Sequence, residues 1–246
     1  MRAIILAAGL GLRLQQPEPQ LPKCLLPFGG RSLLERHLHL LGNAGVREAV
    51  LVLGFHHELV EAQLARSQAS LRPQIVVNPR FEMGSVLSLD TARAALTAGG
   101  DVLVMDADVL YHERIMSALV AGDEPVNRVL IDRDFEPGAE PVKVLVRAGV
   151  PIELRKQPDA TLQYDTIGES VGFFRFSESG ARRLAPITGD YVASGRAAMP
   201  HEEAVRDMLR EAGAHFEVAD ITGSPWIEID FPADVERAER EILPLI

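Results

Sequence analysis

The sequence predicts an α/β fold, with a mostly parallel central sheet and helices on both of its faces. Three observations carry the prediction. Strand-like and helix-like stretches alternate through residues 1–125, the order expected of βαβ units. The strands read as unbroken apolar runs, such as Ala3-Ile4-Ile5-Leu6-Ala7-Ala8, which a sheet buried on both faces requires. From residue 126 the rhythm changes to short strands separated by turns, which predicts a small antiparallel subsheet beside the main one.

Residues 3–8 form the first strand, which runs straight into Gly9 and Gly11. Ser32-Leu33-Leu34-Glu35 is a capping box, and the helix it opens closes at Gly45. Residues 48–53 are the next strand, 57–66 a polar helix and 74–78 a third strand. Gly84-Ser85 opens a helix to about residue 98, with Val86, Leu89 and Leu96 at helical spacing. Residues 101–106 are the fourth strand, ending in Asp106-Ala107-Asp108, and 113–121 are a helix. In the second half, 128–132, 142–147, 151–156 and 169–176 are strand-like, with a Pro- and Gly-bearing turn at 136–141 laid across the rim. Helices at 177–184 and 202–212 follow, then the short strand Trp226-Ile227-Glu228-Ile229-Asp230 and a last helix from Pro232. Open α/β sheets hold ligands beyond the carboxyl ends of their strands, so the glycine turn and the Asp106/Asp108 pair should share one rim. No repeat or linker interrupts the chain, and we expect a single domain over 1–246.

Of the 246 residues, 47% are hydrophobic, enough for a sizeable core. No run of about 20 apolar residues exists to span a bilayer. A formal charge of −10 argues against nucleic acid, which needs a broad basic face, yet a local cluster of cations with a metal can still hold phosphates. The one cysteine, Cys24, permits no internal disulfide and reads as a small packed hydrophobe. With an amino terminus that enters a strand at once, it predicts a cytoplasmic protein with no membrane insertion.

The chemistry concentrates in Leu6-Ala7-Ala8-Gly9-Leu10-Gly11-Leu12-Arg13, followed by Pro22-Lys23. Small residues let backbone N–H groups close around a phosphate chain, and Arg13 and Lys23 neutralise it. No Gly-Lys-Ser/Thr follows, so this is not a Walker loop, and Leu14 stands where a dinucleotide fingerprint needs its third glycine. Asp108 lies just past a buried strand, where a carboxylate suits Mg²⁺, and Asp106 reads equally as a second ligand or a structural acid. Asp230 also ends a strand; from the residues alone it is as good an N-cap for the last helix as a metal ligand. Gly84-Ser85 offers backbone donors and a hydroxyl to a base or ribose, or a plain helix cap.

These motifs resemble those of the bacterial sugar-nucleotidyltransferase superfamily, from Met1 to about Glu241. The chain is most similar to phosphocholine cytidylyltransferases and their aminoethylphosphonate-cytidylylating relatives. Met105-Asp106-Ala107-Asp108, the stretch Asp190-Tyr191-Val192-Ala193-Ser194-Gly195, and Ile227-Glu228-Ile229-Asp230 carry that likeness. The resemblance implies a three-layer Rossmann-like nucleotidyltransferase fold, with a nucleotide half over 1–125 and an acceptor half over 126–246. It implies CTP and Mg²⁺, with Asp108 and Asp230 as metal ligands. Leu6, Ala7, Ala8 and Gly9 would lie with Gly84 and Ser85 around the cytidine. Pro200-His201-Glu202-Glu203 replaces the aromatic residues that the phosphocholine enzymes carry before an acid, which favours a primary amine over a trimethylated one.

The expected reaction is therefore Mg²⁺-dependent cytidylyl transfer from CTP to a small phosphorylated or phosphonylated alcohol. Arg13 and Lys23 would act on the phosphates. Lys143 and Lys156 would hold the acceptor phosphate, while Glu169, Tyr191 and Glu202 would meet its polar or cationic end. Rival readings are a sugar-1-phosphate nucleotidyltransferase using UTP or dTTP, and a non-catalytic nucleotide sensor. The sequence leaves monomer and homodimer open.

Overall fold

The computed structural model describes residues 1–15, 20–211 and 213–246. Its strands are β1 (Arg2–Ala7), β2 (Pro27–Phe28), β3 (Arg31–Ser32), β4 (Glu48–Leu53), β5 (Gln74–Val77), β6 (Val102–Asp106), β7 (Val109–Tyr111), β8 (Asn127–Ile131), β9 (Lys143–Arg147), β10 (Val150–Arg155), β11 (Thr166–Glu169), β12 (Phe173–Phe176), β13 (Phe216–Asp220) and β14 (Trp226–Glu228). The helices are α1 (Leu33–Asn43), α2 (His57–Arg66), α3 (Ser85–Thr91), α4 (Arg93–Thr97), α5 (Glu113–Val120), α6 (Glu178–Ala193), α7 (His201–Arg210) and α8 (Pro232–Arg237).

A seven-stranded sheet in the order β13-β8-β12-β6-β1-β4-β5 forms the centre. All its pairings are parallel except those of β12, which runs antiparallel between β6 and β8. Alternation along each strand sends side chains to opposite faces. Ile4 and Leu6 join one core cluster with Val86, Leu184 and Val205 of α3, α6 and α7. Ala3 and Ile5 join another with Leu38, Val60 and Ile115 of α1, α2 and α5. The capping box of α1 forms as expected, with Ser32 accepting from the Glu35 amide and the Glu35 carboxylate accepting from Ser32 N–H.

A third cluster positions the site. Leu14, Phe28, Leu33, Leu110, Ile227 and Ile229 pack together, and they tie the loop after β1 to the small β7/β14 ribbon. Ile229 is fully buried, which contributes about 2 kcal/mol. Its N–H donates to the Asp108 carbonyl at 2.9 Å, which sets Asp230 beside Asp108.

Several boundaries differ from expectation. The helix expected from Gly84 to about 98 breaks at Ala92 into α3 and α4. The strand expected over 169–176 is two, because Gly172 turns at φ +76° and hands the chain from the β10-β9-β11 sheet to the main one. The helix expected to stop at 184 runs to Ala193 through Pro186, which lacks an N–H donor yet is accommodated within a helix packed on α3, α4 and α7. The helix expected over 202–212 spans His201–Arg210; its expected last residue, Ala212, lies outside the described residues. Strands β7 and β13 were not expected. Among the described residues no helix is long and apolar enough to cross a membrane.

Candidate active site

The carboxyl ends of β1 and β6 and the start of antiparallel β12 open together into a cleft of about 960 Å³. Leu6, Ala8, Gly9, Arg13, Lys23, Gly84, Ser85, Asp106, Asp108 and Asp230 line it, as do Lys156, Glu169 and Glu202. Ala7 does not; it packs against the core on the other side of the sheet. Gly11 turns the loop at φ +63° beneath the Lys23 stem, where a Cβ would stand 3.1 Å from Lys23 Cγ. Burial pushes the Cys24 thiol up to about 12, consistent with a packed hydrophobe.

At the centre, the Lys23 ammonium donates to Asp108 Oδ2 at 2.9 Å and to Asp230 Oδ1 at 2.6 Å. Burial opposes that charge, but the two carboxylates more than reverse it and hold the ammonium above the usual lysine range. Arg13 donates to Asp230 Oδ2 at 2.6 Å and to Glu140 Oε2 at 2.9 Å. Asp230 is not the cap of α8. Asp234 Oδ2 takes that part, accepting from Asp230 N–H at 3.0 Å and Phe231 N–H at 2.7 Å. The Asp230 carboxylate is thereby left to the cleft.

Asp108, Glu228 and Asp230 each place an oxygen within 4.8 Å of the others. Glu228 faces the water of the cleft while protein crowds it; that crowding, with Asp108 and Asp230, pushes its carboxyl up to about 8. Asp106 is held well above the carboxylate range, first by burial and then by Glu202 and Asp108. Gly172 makes its position possible, because a Cβ there would stand 2.3 Å from Asp106 Oδ2. An isolated Gly between apolar residues signals such a close approach in sequence.

The Gly84-Ser85 end of α3 differs from expectation. Its Gly84 and Val86 N–H groups donate to the carbonyls of Ala197 and Met199, at 3.0 and 3.2 Å, so these two backbone donors are not available to a ligand. Ser85 Oγ and Gly84 still face the cleft.

On the other wall, two expected acceptor residues lie elsewhere. Lys143 donates to the carbonyls of Gly138, Pro141 and Lys156, which fastens the 136–141 turn. Tyr191 is 2% exposed; its hydroxyl donates to Asp207 and the Glu203 carbonyl, and Arg196 stacks on its ring. Its sequence neighbours suggested a site, but α6 turns it into the core. Lys156 reaches Glu140 at 3.0 Å. Asp132, missed from sequence, accepts from Trp226 Nε1 at 2.8 Å and bridges to Glu169 through the backbone. A carboxylate closing a buried strand was its only sequence signal.

Burial, with Asp132 and Glu136 beside it and partly offset by Lys143 and Lys156, pushes Glu169 up to about 7. A carboxyl raised in the fold favours folding at low pH, and that contribution fades as pH climbs through its folded value. Glu169→Gln should therefore match wild-type thermal stability near pH 5 and exceed it by a few degrees near pH 8. Melting curves across that range would show parallel wild-type and variant profiles if Glu169 titrated normally.

A family model described as the MobA-like NTP transferase domain matches residues 3–162. The chain belongs to that family. It carries a nucleotidyltransferase domain, and its mostly parallel α/β sheet is a fold shared with the solved structure of a CTP transferase. The chain is 31% identical over 251 residues to a CMP-5'-(3-aminopropyl)phosphonate synthase of Streptomyces rubellomurinus, covering 99% of this chain but only 39% of that protein. It is 23% identical to a CTP:phosphoglutamine cytidylyltransferase of Campylobacter jejuni, over 96% of this chain and 98% of that one. The structure of an inositol-1-phosphate CTP transferase from T. maritima superposes with a TM-score of 0.78 at 21% identity, over 99% and 94% of the two chains.

Proposed function

We propose that the protein is a Mg²⁺-dependent cytidylyltransferase, joining CTP to a small amine-bearing phosphorylated or phosphonylated alcohol and releasing pyrophosphate. The observation that supports it best is the Lys23–Asp108–Asp230 cluster at the mouth of the glycine turn, with Arg13 on its rim. Its cations pair with carboxylate oxygens, which supports a role in holding the oxyanions of a phosphate chain. Relatives named for cytidylyl transfer to phosphonate and phosphoglutamine acceptors support the choice of CTP.

In this reading an oxygen of the acceptor's phosphate or phosphonate attacks the α-phosphorus in line. The bond from the α-phosphorus to its bridging oxygen breaks, and pyrophosphate leaves with that electron pair. Lys23 and Arg13 exchange carboxylate partners for phosphate oxygens, and bear on the charge that grows as the bond breaks. The oxygen-only donor set of Asp108 and Asp230, with Glu228 beside them, fits a hard divalent cation. When bound, Mg²⁺ would supply charge neutralisation to the phosphates. Leu6, Ala8 and Gly9 would lie along the cytidine with Gly84 and Ser85, and Lys156, Glu169 and Glu202 would receive the acceptor.

Pyrophosphate release is the test, measured for CTP, UTP and dTTP against aminoalkylphosphonate, phosphocholine, phosphoethanolamine and sugar-1-phosphate, with and without Mg²⁺. We expect release with CTP and an amine-bearing acceptor only when Mg²⁺ is present. Faster turnover of UTP or dTTP with the sugar phosphate would overturn the reading, and silence with every pair would point to a nucleotide sensor.

A further inference from the structure

Residues 197–201 form a strap across the amino end of α3. Gly84 is required beneath it, since a Cβ there would stand 2.2 Å from the Met199 carbonyl oxygen. At the end of the strap, His201 N–H donates to Ser85 Oγ at 2.9 Å, and its ring Nδ1 lies 3.1 Å from the same oxygen. Nδ1 also lies 3.1 Å from Glu202 Oε2. The ring is 1% exposed and packs edge-on against Phe174, and its Nε2 finds no hydrogen-bond partner among the described residues.

One nitrogen thus serves two rivals. A neutral imidazole carries a single proton, so Nδ1 either donates to the Glu202 carboxylate or accepts from the Ser85 hydroxyl. In the first state the Ser85 O–H is free to donate into the cleft. In the second the hydroxyl proton is committed to Nδ1, and Ser85 Oγ offers the cleft only a lone pair. Ser85 and Glu202 both line the cleft, so what binds one alters the other through the ring.

We propose that His201 is a positioning residue that couples acceptor charge to base choice, on the proposed reading that the cytidine base lies at Gly84-Ser85. A cationic acceptor group draws Glu202 away from Nδ1, the ring proton settles on Nε2, and Ser85 turns its hydroxyl onto Nδ1. The exposed lone pair then accepts from an exocyclic amine, as on cytosine, and repels the carbonyl that uracil puts in its place. An acceptor without the cation leaves Glu202 on Nδ1 and the serine hydroxyl free to serve either base.

Calorimetry with non-hydrolysable CTP and UTP analogues tests this in the presence of Mg²⁺. Each analogue is titrated with saturating 2-aminoethylphosphonate or with n-propylphosphonate, which replaces the ammonium by a methyl group. The CTP-over-UTP preference should be about tenfold larger with the amine, the worth of one directed hydrogen bond. His201→Asn puts amide oxygen and nitrogen near the place of Nδ1 and serves both rivals at once, so it should keep a CTP preference that no longer depends on the acceptor. Ser85→Ala should lose both the preference and its dependence, and it keeps the proposal testable if a ring substitution fails to fold. A wild-type protein that prefers CTP equally with both acceptors would overturn the coupling alone. A wild-type protein with no CTP preference would overturn the base placement and the coupling with it.

Discussion

Asp108→Asn and Asp230→Asn should each lower turnover by about 10²–10³-fold, the usual cost of losing one group that stabilises transition-state charge. Thermal unfolding should shift by only a few degrees. Both carboxylates sit at strand ends whose backbone is held elsewhere, by Ile229 N–H on the Asp108 carbonyl and by the third core cluster. Asp230 caps nothing, since Asp234 accepts both amides at the start of α8, so an amide at 230 leaves that helix intact. An asparagine keeps the size and one acceptor oxygen, and removes the charge and the second acceptor. Steady-state pyrophosphate release across a Mg²⁺ series, beside melting curves, separates the two effects. Full turnover of either variant at the wild-type Mg²⁺ requirement would remove that residue from the metal reading.

The local parts of this site were legible because they follow rules of a few residues. A buried strand running into Gly9 and Gly11, a capping box at Ser32, and an aspartate past an apolar strand each declare themselves within one turn of chain. What was not legible depends on distant pairing. The short strand at 226–230 was expected, but its partner β7, three residues long, is too short to carry a periodic signal, and it is their pairing that brings Asp230 to Asp108. Asp190-Tyr191 looked like part of a site by neighbourhood, but the rotation of α6 decides that Tyr191 is packed. The backbone donor of Gly84 looked available until a strap more than a hundred residues away in sequence took it. The helix expected at 177–184 carries on through Pro186, because packing on its neighbours accommodates the one missing amide donor.

Lys23→Met should show that one cation does two jobs. Methionine keeps the aliphatic stem that lies over Gly11 and deletes only the ammonium, whose side chain is 14% exposed. In the wild type that ammonium stands between Asp108 and Asp230, 2.9 and 2.6 Å away, and stays charged at any working pH because those carboxylates hold it so. Without it, Asp108, Glu228 and Asp230 face one another and, among the described residues, the rim Arg13 is the cation left paired with them. Ionising Glu228, whose charge Lys23 helps to offset, then costs the fold more, so the variant should lose stability progressively as pH rises, where the wild type loses less. Millimolar Mg²⁺ should restore more of the melting temperature in the variant than in the wild type, because in the wild type it competes with Lys23 for the same oxygens. Kinetically, kcat should fall about 10²-fold while the Michaelis constant for CTP rises far less, since the ammonium acts on charge that grows as pyrophosphate departs. Melting curves with Mg²⁺ against Na⁺ at matched ionic strength, together with kcat and KM for CTP, read both effects. Should only KM rise, with stability indifferent to pH and to Mg²⁺, Lys23 would be a simple binding residue and its place between the two aspartates incidental to the chemistry.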